Sequence, residues 1–149
     1  MDNPNIDNPT PKKEEYVIIL DYIKSQDFSN IEFILEKSSN SVIENVINGL
    51  KLYEKSINSL VFVNRSQGAG RCYLTLRKYL PHAKIFQQVF ESDYDGIKIG
   101  RNNWFITEFG RGRVWGEFLR IKKYGQEGKI EFKEVADLVK KIEEICKKV

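Results

Sequence analysis

Arginine is the residue type best suited to chemistry in this chain, and its distribution is uneven. All seven arginines fall between Arg65 and Arg120, whereas lysine occurs throughout. A guanidinium offers a planar fork of N–H donors that grips phosphate or carboxylate through two bonds at once. Charge follows the same division. Residues 1–60 hold six lysines against ten acids, a balance of −4, and residues 61–125 hold twelve Lys or Arg against five acids, a balance of +7. Residues 126–149 hold six of each sign, so the overall +3 conceals a basic middle fit for an anionic ligand.

Two stretches carry that basic character. The first, "VFVNRSQGAGR" (Val61–Arg71), reads as a strand running into a glycine-bearing turn with Asn64, Arg65 and Arg71 around it. Gly68 and Gly70 would let backbone N–H groups approach a phosphate closely. It is no Walker A loop, which requires G-x-x-x-x-G-K-S/T; here Gly70 is followed by Arg71 and Cys72. The second stretch, "GRGRVWGEFLRIKKYGQEGK", interleaves Arg111, Arg113, Arg120, Lys122 and Lys123 with Trp115, Phe118 and Tyr124. Such a mixture suits phosphates gripped by cations and bases stacked on rings. If the segment about Phe118 is extended, Arg120 and Lys122 share a face. Phe118 is expected in the core.

Groups for bond-making are scarce. Asp93-Tyr94-Asp95 has the spacing of a metal-binding carboxylate pair, but Asp95-Gly96 is a hairpin-turn signal and no third carboxylate accompanies it. His82 is the single histidine. Glu108 and Glu117 stand among Arg111, Arg113 and Arg120, where ion pairing is the expected role. The two cysteines, Cys72 and Cys146, are far apart and outside any C-x-x-C, which argues against a disulfide framework or a cysteine-held metal and for a reducing cytoplasm. Binding is therefore expected, with no catalytic residue and no metal site.

The elements that must position these residues follow from periodicity. Apolar residues make up 41% of the 149, enough for one domain with a core, and no run is long enough to span a membrane. Residues 1–13 hold three of the four prolines and are expected to be a disordered tail, leaving 14–149 as the domain. Three helices are expected in the first sixty residues: one bearing Ile19, Leu20 and Ile23, a short one from Asp27 or Ser29 through Leu35, and one bearing Val46, Ile47 and Leu50. "INSLVFVN" reads as a strand, "RCYLTLRKYL" as a helix stopped by Pro81, and "AKIFQQVF" as ambiguous. "ESDYDGIKIGRNNWFITEFG" suggests one or two hairpins. The last segment places Phe132, Val135, Leu138, Val139, Ile142, Ile145 and Cys146 on one helical face, expected to lie on the core with Cys146 buried. The fold class is α+β, predominantly helical, with a small β-hairpin.

Two pieces resemble one family. "YGQEGK" (Tyr124–Lys129), preceded by "LRIKK", resembles the Y-N-I-R-H-x-Y-G-K-E-G-K signature in the C-terminal domain of the large subunit of archaeal and eukaryotic DNA primase. "RSQGAGRCYLTLRKYL" resembles that domain's H-x-R-H-G-G-R-x-x-x-x-L-x-L-K element, with Arg71 at the arginine after the glycines and Arg65 where the family has histidine. The similarity covers roughly residues 60–130, and "YG-EGK" is its specific part. The large-subunit domain holds an iron–sulfur cluster with four cysteines, one of them eleven residues after the Glu of E-G-K; here that position is Leu138. A cluster-free version resembles the PriX family, the small non-catalytic third subunits of some archaeal primases.

The resemblance implies a domain that holds the initiating nucleotide's triphosphate and the single-stranded DNA template while another subunit forms the bond. Its partners would be the primase catalytic and large subunits. Mg or Mn would come with the nucleotide or from the catalytic subunit, with no cofactor bound directly. Asn64, Arg65, Arg71, Arg120, Lys122 and Lys123 are the expected phosphate and template residues, with Arg111, Arg113, Trp115 and Tyr124 secondary. Two other functions fit the same residues: a general single-stranded nucleic-acid module, and a small metal-dependent nuclease or nucleotidyl transferase using Asp93 and Asp95.

Overall fold

The computed structural model describes residues 15–53 and 55–147, so the expected tail at 1–13 lies outside the described residues. The fold is α+β, as expected, with five helices and two small sheets among the described residues. In order these are α1 (Glu15–Lys24), α2 (Val42–Leu52), β1 (Ser59–Arg65), a single 3-10 turn (Ser66–Gly68), α3 (Ala69–Tyr79), β2 (Lys84–Phe90), β3 (Ser92–Tyr94), β4 (Ile97–Ile99), α4 (Glu108–Gln126) and α5 (Ala136–Cys146). No helix among the described residues is long and apolar enough to cross a membrane.

The centre is a β1–α3–β2 unit. The two strands pair in parallel from Ser59 opposite Lys84 to Arg65 opposite Phe90. Alternation along β1 turns Phe62 into the core and leaves Val61 and Val63 exposed on the other face. α3 lies on the inner face, where Phe62, Ala69, Cys72 and Leu76 form the core and Val42, Val46, Leu60, Ile85 and Val89 pack around them. Thr75 is fully buried and spends its hydroxyl on the Arg71 carbonyl at 2.8 Å. α3 stops as Pro81 predicts, with the Leu80 N–H closing the last turn onto Leu76.

The Asp95-Gly96 hairpin forms between β3 and β4, with Tyr94 opposite Ile97. Both turn residues have positive φ, 53° and 87°, the type I′ geometry that twists with the strands. Asp93 accepts the Gly96 N–H at 2.7 Å, which gives that carboxylate a turn-closing role. The residues after it, Arg101–Ile106, form turns leading into α4 rather than a second hairpin.

Four expectations are corrected. The short helix through Leu35 does not form. Ser29 N–H instead bonds Asp27, Ile31 N–H bonds Phe28 O, and Ile31, Phe33 and Ile34 stay exposed. So short a stretch cannot recover the cost of helix nucleation without an apolar face to bury. The segment about Phe118 is helical, so Arg120 and Lys122, two apart, point to different sides of α4. Phe118 itself is half-buried and stacks on exposed Trp115, ring centres 4.9 Å apart, rather than joining the core. The last helix begins at Ala136 and packs through Val139, while Leu138, Ile145 and Cys146 are exposed. Eleven residues make only about three turns, so the flanking members of a broad apolar face reach past the core.

The "YGQEGK" stretch has a definite local role, ending α4. Gly128 has φ 65° and donates to Gly125 O at 3.0 Å, and Lys129 N–H reaches back to Tyr124 O at 2.8 Å. This pair of bonds is a Schellman motif, which satisfies the last helical carbonyls. Gly125 must lack a side chain because a Cβ there would sit 2.1 Å from the Phe132 ring.

Candidate phosphate-binding cleft

Three segments deliver arginines to one place. β1 ends on Asn64 and Arg65, and the 3-10 turn brings Gln67. The first turn of α3 contributes Arg71. α4 presents Arg113, Glu117, Arg120 and Tyr124 at i, i+4, i+7 and i+11, a single helical stripe. Ile19 of α1, residues 39–42, Asn45 of α2 and Tyr94 of the hairpin add to the lining. Together they bound an open cleft of about 970 Å³.

The guanidiniums are held in two groups. Arg71 and Glu117 form a forked pair, Nε to Oε2 at 2.7 Å and Nη2 to Oε1 at 3.2 Å, with side chains only 12% and 13% exposed. Arg120 Nη1 reaches the same Oε1 at 3.0 Å, so one carboxylate joins both arginines. The other group centres on the Tyr94 hydroxyl, which accepts from Arg113 Nη2 at 2.6 Å, Gln67 Nε2 at 2.9 Å and Arg65 Nη1 at 3.4 Å. The Arg113 guanidinium also lies 4.5 Å from the centre of the Tyr94 ring. Burial alone would raise the Tyr94 phenol, but the hydrogen bond and charge of Arg113, helped by Ser92 and Arg65, outweigh it and hold the phenol below its usual range.

Of the residues expected from sequence, Asn64, Arg65, Arg71, Arg113, Arg120 and Tyr124 meet in the cleft. Lys122 pairs with Glu143 of α5, and Lys123 is exposed outside the cleft. Arg111 donates to the carbonyls of Phe105 and Ile106 and so ties the preceding turn to α4. Trp115 lines a separate apolar groove with Trp104, Val114, Phe118 and Ile142. The expected ion pairing of Glu117 is present. Tyr94 as a cleft residue and the α2 lining were not anticipated; the signal for the α4 side was the spacing of Arg113, Glu117, Arg120 and Tyr124.

The glycines work differently from the expectation. Gly68 lines the cleft with φ −91°, and Gly70 lies within α3 beside Ile121. Neither adopts a positive φ, so the loop forms no anion-cradling nest, and side chains dominate the site.

Searches of protein-family models, curated proteins and solved structures find no match to this chain.

Proposed function

We propose that this chain is a non-catalytic, nucleotide-binding subunit of a primase, holding the triphosphate of the initiating nucleotide in the arginine cleft. The observation that carries the reading is the convergence of Arg65, Arg71, Arg113 and Arg120, from three separate elements, on one cleft. Among the described residues, four guanidiniums and one carboxylate line it, a surplus of positive charge. A triphosphate carries roughly four negative charges, and in a partly desolvated cleft that complementarity is strong. The cleft volume of about 970 Å³ is at the upper end of the usual range for small-ligand sites. The resemblance of the Arg65–Leu80 and Leu119–Lys129 stretches to the primase large-subunit domain supports the same assignment.

Such a subunit contributes position rather than chemistry. Starting a chain without a primer requires two nucleotides to be held side by side, and orientation lowers the entropic cost of their encounter. The template would run along the open face of β1–β2, where Phe86 and Phe90 are exposed and Val63 and Phe90 continue into the cleft. Exposed rings beside arginines suit single-stranded bases. The catalytic and large primase subunits would be the partners, in the cytoplasm.

Titration calorimetry with ATP, AMP and a short oligonucleotide tests this reading. ATP is expected to bind at least about tenfold more tightly than AMP, a difference of about 1.4 kcal/mol. Equal affinity for ATP and AMP, with tight oligonucleotide binding, would instead favour the general single-strand module.

A further inference from the structure

Among the described residues, Glu117 is the one carboxylate lining this basic cleft. Glu117 is largely buried and occupies the Nε and Nη2 edge of Arg71, the edge a phosphate would use for a forked contact. The Glu117 Oε1 also accepts from Arg120 at 3.0 Å. Without a counter-charge, the nearly buried Arg71 cation would be costly to hold, and the two guanidiniums would repel. We infer that Glu117 is an internal stand-in for phosphate: it fills the Arg71 fork in the unliganded protein, and a bound polyphosphate takes its place there.

This inference rests on the phosphate-binding reading above and describes the regulation of that site. The exchange leaves Glu117 paired, because Arg120 on the next turn of α4 already contacts it. It also sets a threshold. A single phosphate at Arg71 merely replaces a carboxylate, whereas a chain of phosphates also reaches Arg65 and Arg113. Arg65 donates to the Tyr94 hydroxyl, a weaker competitor than a carboxylate.

The test is calorimetric binding of inorganic tripolyphosphate to the full-length wild type, Glu117→Gln, Arg71→Gln and the double variant, each checked for folding by circular dichroism. Glu117→Gln should bind about tenfold more tightly, about 1.4 kcal/mol. In the Arg71→Gln background the same change should gain less than about threefold, since the competition acts through Arg71. Glu117→Asp is a second probe should Glu117→Gln fail to fold. Its shorter side chain keeps the charge but loosens the fork, and it should bind tripolyphosphate more tightly than wild type by about two- to threefold. A folded Glu117→Gln protein, or failing it Glu117→Asp, that binds no more tightly overturns the inference. So does a full gain that persists without Arg71, which would reveal a general charge effect. If wild type binds tripolyphosphate and the variants bind no better, only the stand-in role fails; if none of them binds it, the phosphate-site reading fails as well.

Discussion

The placement of α4 decides whether Arg113, Glu117, Arg120 and Tyr124 face the cleft, and two of its glycines test that placement in opposite directions. A Cβ on Gly110 would lie 2.2 Å from the Trp104 carbonyl oxygen and 3.1 Å from the Oγ1 of Thr107. Trp104 O is backbone and cannot rotate away. Thr107 is the helix cap, accepting the Gly110 N–H at 3.0 Å. Alanine in a helix gains about 1 kcal/mol over glycine. Forcing the Arg101–Ile106 turn outward and loosening the cap costs about 3–4 kcal/mol. Gly110→Ala should therefore be destabilising by about 2–3 kcal/mol, lowering Tm by roughly 8 °C in a domain of this size. A Cβ on Gly112 meets nothing within 4 Å, so Gly112→Ala should keep the full gain of about 1 kcal/mol and raise Tm by roughly 3 °C. Gly112 borders the apolar groove and not the cleft, so tripolyphosphate affinity should not change in that variant. Thermal denaturation of the three proteins reads the difference. Two stabilised variants would refute the close approach of the Trp104 turn to α4.

Other outcomes follow from single contacts. A thiol reagent should label Cys146 quickly and Cys72 only on unfolding, because Cys72 is buried and burial pushes its thiol up against the opposing effects of Asn64 and Arg71; rapid labelling of both would contradict the core. Asp93→Ala should cost about 1 kcal/mol by freeing the Gly96 N–H, while Asp93→Ala/Asp95→Ala should leave phosphate affinity unchanged; loss of affinity would revive a metal role for the pair. The Tyr94 phenol is held below its unfolded value, so its contribution to stability is full above that unfolded value, about 10, and is lost as pH falls through the folded one. Ultraviolet titration, differenced against Tyr94→Phe, should show this phenol ionising earlier than ordinary tyrosines and later once Arg113 is replaced by Met. An unchanged titration would remove Arg113 from the cause.

What the sequence made legible was local. Pro81 marks the end of α3, Asp95-Gly96 makes the hairpin, and Val42 to Leu50 spell out α2, each from residues close together in the chain. The β1–β2 pairing was not legible, because "AKIFQQVF" becomes a strand only through parallel partners 25 residues earlier. α4 was hidden for another reason. Gly110, Gly112, Gly116 and Gly125 lower its intrinsic helix preference, and two of them are there because Trp104 and Phe132 pass too close for a Cβ. Most of the arginine cleft could be assembled by residue type, since confinement of arginine to the middle of the chain needs no fold to see. Which basic residues would be diverted could not. Lys122 is taken by Glu143 and Arg111 by the carbonyls of Phe105 and Ile106, and those partners become visible only in three dimensions. The "YG-EGK" piece illustrates how a motif can have two meanings, since its glycines are accounted for by the end of α4 while Tyr124 still lines the cleft.

The central claim is that the cleft holds the first nucleotide. It is tested most directly with Arg71→Glu in a complex reconstituted with primase catalytic and large subunits, comparing de novo primer synthesis with extension of a pre-made primer. Reversing a charge at the Glu117-paired fork should lower initiation by about tenfold or more and leave extension within about twofold of wild type. An equal fall in both activities, or no fall in either, would contradict the account.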